Sequence, residues 1–223
     1  MEEKFEKIKK IVEKELSCSA HDMEHIMRVY NLALHIAKNE NVDLNIIKTA
    51  ALLHDIARVK EDDDQTGKID HAILGAKMAK LILENLKFSE EKIKHILECI
   101  VSHRYRTGNK PKTKEAQILF EADKLDTLGA IGIARAFVWV GGNNANIYRK
   151  VNTQKYVKDN LGGKINGRIK DKTKHSPQIE WETKTKFLGN KIKTIKGKEI
   201  LKERMDFYKN FLNRLEKEIK GKI

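Results

Sequence analysis

Residues 44–59 read LNIIKTAALLHDIARV, a segment whose apolar side chains would fall almost all round a helix. A helix of this kind is typically central and buried. Asp43, directly before it, is a favourable N-cap residue. The pair His54–Asp55 lies near the predicted helix end, and an Asp that is buried in an apolar run needs a partner such as a cation. Imidazole nitrogen and carboxylate oxygen together suit a divalent ion, such as Mn, Fe, Co, Ni, Zn or Mg.

Apolar residues recur at spacings of three and four along most of the remaining sequence, which is the pattern of amphipathic helices. Charged residues make up 35% of the chain and aromatic residues 6%, with only two prolines, and this composition also favours helix. The predicted helices span about 2–16, 22–39, 44–59, 70–86, 89–104, 114–126 and 128–140, with further helix within 180–220. Residues 60–68 are predicted to form a polar loop. We therefore expect an all-α helical bundle.

The basic residues are concentrated in one segment. The net charge is +13, and residues 141–198 contain fifteen Lys and Arg against four Asp and Glu. We expect a single domain over 1–223, with a helical core at about 15–140, a basic insertion at about 141–178 and closing helices at about 180–220. Glycines, lysines and weak periodicity predict that the insertion is a long loop able to move. It is either a solvated lysine-rich loop or a surface that attracts polyanions such as nucleotides or nucleic acid.

Three features predict the cellular compartment. No stretch of 18 consecutive apolar residues is present, so we expect no membrane span and no membrane partner. The first residues, MEEKFEKIKK, alternate in charge and lack the apolar core of a signal peptide. Cys18 and Cys99 have no metal-binding spacing and are expected to be reduced thiols. The predicted location is the cytoplasm.

Two further groups of residues could complete a metal site around His54 and Asp55. His25 follows another histidine by one helical turn and leads into an apolar stripe, so its side chain can point inward. Asp123 adjoins the apolar face of its predicted helix and needs a partner if it is buried. Asp126, about one turn later, could orient a metal ligand. Each of these residues could instead be an ordinary capping or surface residue.

Two more histidines fall at the ends of predicted helices. His71 opens the fourth helix, and His103 ends the fifth, where Arg104 and Arg106 follow closely. Either histidine could bind a second metal, donate a proton or hold a phosphate. A histidine that caps a helix is an equally ordinary explanation for both.

Together, these residues resemble the H…HD…D motif of the HD-domain superfamily of metal-dependent phosphohydrolases. The motif residues here are His25, His54, Asp55 and Asp123. Four longer blocks are similar, in the same order, to a branch of small bacterial and archaeal HD hydrolases: AHDMEHIMRVYNLALHIA, AALLHDIARVK, DHAILGAKMA and FEADKLDTLGAIGIARAF. That branch includes nucleoside triphosphate pyrophosphatases. The stretch from about Trp181 to Phe211 is similar as well, so the resemblance covers most of the chain except about 143–178.

The resemblance implies an HD-domain helical bundle and assigns roles to individual residues. The implied metal ligands are His25, His54, Asp55 and Asp123. His71 matches a histidine that binds a second metal or phosphate in some HD phosphodiesterases, and His103 occupies a similar place. Some HD nucleotidases carry a carboxylate three or four residues beyond the HD pair, whereas Ala57 and Arg58 occupy those positions here. The nearest acids, within 61–64, are predicted to lie on the polar loop.

The reaction implied is hydrolysis of a phosphoester or phosphoanhydride. Two nitrogen and two oxygen ligands leave room for water on a six-coordinate divalent ion, and metal-bound hydroxide would attack phosphorus. Positive side chains would stabilise the charge that develops on the phosphoryl oxygens. The candidates for substrate binding are Arg28, Lys124, Arg104 and Arg106, and the candidates for proton transfer or orientation are His71, His103 and Asp126. We expect a small phosphorylated substrate, first a nucleotide, with a nucleoside triphosphate cleaved to monophosphate and pyrophosphate.

Three alternatives remain open. The substrate could be an oligonucleotide or RNA, with the basic insertion as an electrostatic track. The fold could instead hold two irons and oxidise a substrate with oxygen, for which His71 and His103 leave room. The third alternative is a scaffold without metal that binds nucleic acid, and the four filled ligand positions argue against it.

Overall fold

The computed structural model describes residues 1–16, 23–104 and 108–223. Within these ranges the chain is helical and has no strand, which confirms the predicted all-α fold. The chain divides into two compact units, Met1–Asp123 and Lys124–Ile223. The helices of the first unit are α1 (Glu2–Glu15), α2 (Met23–Ala37), α3 (Leu44–Leu53), α4 (Arg58–Asp63), α5 (His71–Asn85), α6 (Glu90–Ser102) and most of α7 (Lys114–Leu125).

Helix α3 is the central helix of the first unit, because it packs against α1, α2 and α6. Seven of its ten residues are buried, as the apolar pattern predicts. The Asp43 side chain caps its start by accepting hydrogen bonds from the backbone N–H groups of Asn45 and Ile46, at 2.8 and 3.4 Å. A cap of this kind stabilises a helix by roughly 1 kcal/mol.

The predicted helix over 44–59 is in fact two helices separated by a turn. Helix α3 ends at Leu53, and residues 54–57 form the turn before α4. There the N–H groups of Ile56 and Arg58 donate to carbonyls three residues earlier instead of four. This tighter pattern is common at helix ends, and it places the HD pair in the turn.

Part of the predicted polar loop at 60–68 is helical, because α4 extends to Asp63. Arg58 pairs with Glu61 three residues later and with Asp62 four residues later, each at 3.0 Å. Pairs at these spacings stabilise a helix, so a run of polar residues that reads as a loop forms a short helix here.

The second unit contains the end of α7 and the remaining helices. These are α8 (Gly129–Gly142), α9 (Thr153–Asn160), α10 (Pro177–Thr183) and α11 (Ile195–Ile219), with 3-10 turns at Lys172–Lys174 and Thr185–Lys191. Helix α8 packs against α10 and α11. No single helix in the described ranges is both long and apolar enough to cross a membrane; α7 and α8 pass that test only when counted together.

The basic insertion is in part helical, whereas its weak periodicity predicts a loop. Tyr156, Leu161 and Ile179 form a small apolar cluster of its own, with further partly buried side chains around them. Buried His175 supports this cluster: its Nδ1 atom lies 2.8 Å from the Tyr156 hydroxyl and its Nε2 atom 3.1 Å from Glu180. The basic insertion therefore contains helix and local side-chain packing that its weak periodicity does not predict.

Candidate metal centre

One ring nitrogen of His54, Nε2, is buried and has no hydrogen-bond partner. Its side chain is completely buried, and Nδ1 donates a hydrogen bond to the carbonyl oxygen of Ala51 at 2.8 Å. A carbonyl can only accept, so Nδ1 carries the proton and Nε2 carries a lone pair. Burial lowers the pKa of His54 to about 4 against the opposite effect of Asp55, so the ring is neutral near pH 7.

The carboxylate of Asp55 lies beside this nitrogen. Its Oδ2 atom is 3.9 Å from His54 Nε2 and 3.7 Å from His25 Nε2. One ligand atom from each of the three residues lies within 4.8 Å of the others, and all three side chains are buried. Two imidazoles and a carboxylate at this separation could hold one divalent ion.

Asp123 joins this group through His25. The Oδ1 atom of Asp123 lies 3.6 Å from His25 Nε2, and the side chain of Asp123 is 12% exposed. Helices α2 and α7 supply these two residues, and the turn after α3 supplies the HD pair. The structure therefore brings together the four side chains that the H…HD…D motif predicts as metal ligands.

The other oxygen of Asp55 faces a second pair of histidines. Its Oδ1 atom lies 3.3 Å from the Nε2 atoms of both His71 and His103. These two Nε2 atoms are 3.2 Å apart, and His103 Nδ1 donates to the carbonyl oxygen of Ile100 at 2.6 Å. This trio is also a buried group that could hold a metal ion. Asp55 therefore belongs to both groups and uses a different oxygen in each.

Asp55 is anionic in this environment. Burial by itself would raise the pKa of its carboxyl group, but the surrounding imidazoles of His54, His103 and His71 hold that pKa well below its ordinary value. A buried carboxylate surrounded by ring nitrogens is a favourable setting for a cation, because the cation offsets the cost of burying the charge.

Glu61 is a contributor to the site that sequence reasoning did not single out. It is in direct contact with Nδ1 of His71, and Arg104 Nη2 donates to its Oε1 at 2.7 Å. The three residues that follow it are also acidic, so the sequence gives no means of choosing Glu61 among them. The spacing of three residues between Arg58 and Glu61 is the sequence signal that could have predicted a helix at Glu61.

The remaining candidates differ in their surroundings. Arg28 lies on α2 and pairs with Glu24 at 3.7 Å, and Arg104 pairs with both Glu61 and Asp70 at 2.7 Å. In the second unit, Arg135 donates to the buried Asp126 carboxylate at 2.7 Å. Lys124 accepts a hydrogen bond at its carbonyl from the Thr127 hydroxyl in that same unit. Arg106 lies outside the described residues, as does Cys18.

The sequence and the fold are similar to those of known proteins. Residues 22–128 match the HD domain family. The uncharacterized protein YpgQ of Bacillus subtilis is 28% identical over 205 residues, which cover 91% of this chain and 86% of YpgQ. The crystal structure of an HD-superfamily hydrolase from Bacillus thuringiensis is 28% identical and covers 98% of each chain, with a TM-score of 0.71. The chain also aligns with the crystal structure of Bacillus subtilis YpgQ in complex with ADP, with 26% sequence identity and a TM-score of 0.71. This alignment covers 97% of this chain and 95% of that one.

Proposed function

Because the chain belongs to the HD-domain superfamily, we propose that it is a metal-dependent phosphohydrolase that cleaves a phosphoester or phosphoanhydride of a nucleotide. The observation that carries this proposal is the buried, partner-free Nε2 atom of His54, 3.9 Å from the Asp55 carboxylate. A buried polar atom without a hydrogen bond is costly, and a divalent cation would remove that cost.

The residues present fit a divalent ion. His54 and His25 would supply neutral nitrogens, and Asp55 and Asp123 would supply two negative charges that balance the charge of the ion. When bound, such an ion would lower the pKa of a coordinated water and polarise a phosphoryl oxygen. Mixed nitrogen and oxygen ligands are compatible with Mn, Ni, Co, Fe, Zn or Mg.

Further candidate side chains would supply the other requirements of phosphoryl transfer. His71 and His103 lie at the second oxygen of Asp55, where their Nε2 atoms could accept or donate a proton. Arg28 follows His25 by three residues on α2 and would bring positive charge toward the phosphoryl oxygens. We include Lys124, Arg104, Arg106 and Asp126 as further candidates for contact with substrate or for orientation of water.

A nucleotide is the proposed substrate class. Support comes from YpgQ, whose crystal structure is a complex with ADP, and from the motif blocks, which resemble a branch of HD hydrolases that includes nucleoside triphosphate pyrophosphatases. Cleavage of a nucleoside triphosphate to monophosphate and pyrophosphate is the leading form of the reaction. The small phosphorylated substrate would be the principal partner of this protein.

The test is reconstitution of the metal-free protein with Mn, Co, Ni, Mg or Zn singly, followed by measurement of phosphate and pyrophosphate release from a panel of nucleotides. We expect release with at least one metal and its loss in His54→Ala and Asp55→Ala. His35→Ala, a substitution of an exposed histidine on α2, is the matched control and should keep full activity. Protein that binds metal but releases nothing from any nucleotide would contradict the proposed substrate, and protein that binds no metal would contradict the centre.

A centre with two ions is favoured by a specific observation, namely that Asp55 is shared by two groups of possible ligands. The residues of the second group, Asp55, His71 and His103, would hold the second ion. An arrangement of this kind would also suit oxidation by a pair of irons, and the discriminating measurement is oxygen uptake by iron-loaded protein. Counting bound metal per chain in the reconstituted protein distinguishes one ion from two.

The basic insertion at about 141–178 supports an oligonucleotide as the alternative substrate. Its exposed lysines, such as Lys155, Lys158 and Lys164, could contact a phosphate backbone. A short RNA included in the same assay tests this alternative. Cleavage that falls steeply with salt, together with no release from mononucleotides, would favour the polymer as the substrate.

A further inference from the structure

His71 is oriented by a carboxylate from another helix. Its Nδ1 atom contacts Oε2 of Glu61 directly, and Nε2 on the other side of the ring lies 3.3 Å from Oδ1 of Asp55. We propose that Glu61 is a positioning residue: it holds His71 in the tautomer with the proton on Nδ1 and so presents the Nε2 lone pair to the centre.

The surroundings of Glu61 fix the position of that proton. Arg104 Nη2 donates to Oε1 at 2.7 Å, and Arg58 Nη1 donates to Oε2 at 3.0 Å. Both carboxylate oxygens of Glu61 therefore accept hydrogen bonds from guanidinium groups, which can only donate. Two unprotonated atoms in direct contact would repel each other. The proton therefore lies on His71 Nδ1.

Glu61 is itself held in place from both sides. Arg104 spans Glu61 and Asp70, with a separation of 2.7 Å on each side. Asp70 caps α5 by accepting a hydrogen bond from the N–H of Ala72 at 2.9 Å, and α5 begins at His71. A different Glu61 rotamer would break its contacts with His71, Arg58 and Arg104 together, so the carboxylate is tied to the helix that carries the histidine.

The position of His71 in its helix explains why it uses a side-chain partner. His54 and His103 stand at the C-terminal ends of α3 and α6, and each donates to the carbonyl three residues earlier in its own helix. His71 is the first residue of α5, so no carbonyl of that helix precedes it. The acceptor for its Nδ1–H has to come from elsewhere, and Glu61 supplies it.

The first measurement is the tautomer of His71, from imidazole ¹⁵N chemical shifts of the full-length, metal-free protein at a pH where the ring is neutral. The signals of His71 are assigned by their loss in His71→Gln. We expect the Nδ1–H tautomer in the wild type, the same tautomer in Glu61→Gln, whose amide oxygen can still accept, and a mixture or the Nε2–H tautomer in Glu61→Ala.

Asp62→Asn is the matched control. It replaces a carboxylate one position further along α4, where Asp62 pairs with Arg58 at 3.0 Å. It makes the same change of charge as Glu61→Gln, and the tautomer of His71 should not respond. The Nε2–H tautomer in the wild type would overturn the proposal without any variant, and an unchanged tautomer in folded Glu61→Ala would do the same.

The kinetic consequence rests on the proposed function. Where hydrolysis is observed, Glu61→Ala should lower kcat by about 10–100-fold with little change in KM, and Glu61→Gln should lower it less. A change in KM with an unchanged kcat would contradict the positioning role. If no metal supports hydrolysis by the wild type while the tautomer responds to Glu61→Ala, the proposed function fails and the role of Glu61 stands.

Discussion

The Nε2 atoms of His71 and His103 lie 3.2 Å apart, and both face the same oxygen of Asp55. His103 Nδ1 carries its proton, because it donates to the carbonyl oxygen of Ile100. In the neutral form of the ring, the Nε2 atom of His103 carries a lone pair that faces the Asp55 carboxylate oxygen at 3.3 Å. A proton or a cation between these atoms is needed to offset their repulsion.

We expect His103→Ala to separate catalysis from metal binding. The substitution removes a group positioned for proton transfer, which typically contributes about 10²–10⁴-fold to the rate. It leaves His25, His54 and Asp55 in place, so one equivalent of metal should still bind. Measurement of kcat alongside calorimetric titration with Mn²⁺ checks both points.

The control for this experiment is His95→Ala on the same helix, where His95 pairs with Glu115 at 3.3 Å. This variant should keep both activity and metal binding. Full activity in His103→Ala would remove His103 from the reaction. A fall in bound metal from two equivalents to one would instead assign His103 to a second ion.

Asp55→Asn should weaken metal binding more than Asp123→Asn does. Asp55 is the carboxylate common to both groups of possible ligands, whereas Asp123 adjoins only the first of them through His25. Loss of either ligand should weaken binding by more than the ~10–100-fold that follows from loss of an outer partner, and loss of the shared Asp55 should weaken it further. Dissociation constants for Mn²⁺ by calorimetry give the comparison, and equal losses in the two variants would show that the shared position has no special weight.

Gly132→Ala should destabilise the second unit. A Cβ atom at this position of α8 would lie 2.2 Å from the carbonyl oxygen of Thr127, so the backbone has to shift. Overpacking of this kind typically costs about 1–3 kcal/mol. The free energy of unfolding from urea titration measures the effect.

Gly141→Ala, on the same helix, is the matched control because nothing lies within 4 Å of its added Cβ. Alanine is the better helix former, so this variant should gain roughly 0.5–1 kcal/mol. Stability changes of the same sign in the two variants would contradict the close approach at Gly132.

Glu180→Gln should destabilise the protein near neutral pH and have less effect in acid. Burial opposes the ionisation of Glu180, but Lys184 and His175 outweigh it and hold its pKa below the ordinary value of 4.5. Because the folded-state pKa is depressed, its contribution is complete above about pH 4.5 and is lost as the pH falls toward the folded-state pKa. A charged hydrogen bond of this kind contributes about 1.5–3 kcal/mol.

The measurement is the free energy of unfolding of the wild type and of Glu180→Gln at several values of pH. The difference between the two should shrink steadily below about pH 4.5. Lys186 pairs with Glu182 on the protein surface at 2.7 Å, so Glu182→Gln is the matched control and should have a small effect at any pH. A difference that stays constant with pH would remove Glu180 as the titrating group.

The sequence predicts the four motif residues of the centre better than it predicts the contact of Glu61 with His71. His54 and Asp55 interrupt an apolar segment, so the energetic cost of burying them marks them as candidates. The position of His25 and Asp123 beside apolar faces leaves their role open, and the resemblance to the H…HD…D motif adds them to the predicted ligands. The turn at 54–57 is not predicted, because the apolar pattern of 44–59 runs through it and no Gly or Pro interrupts it. The contact of Glu61 with His71 depends on how α4 meets α5, which no local pattern encodes.

The two ways of fixing a ring nitrogen differ in what mutation can do to them. For His54 and His103, the acceptor is a main-chain carbonyl, and no substitution at Ala51 or Ile100 other than one that breaks the helix can remove it. For His71, the acceptor is the Glu61 side chain, which a single codon change can delete or replace. A substitution at position 61 can therefore change how one histidine is held, while the main chain keeps the other two in place.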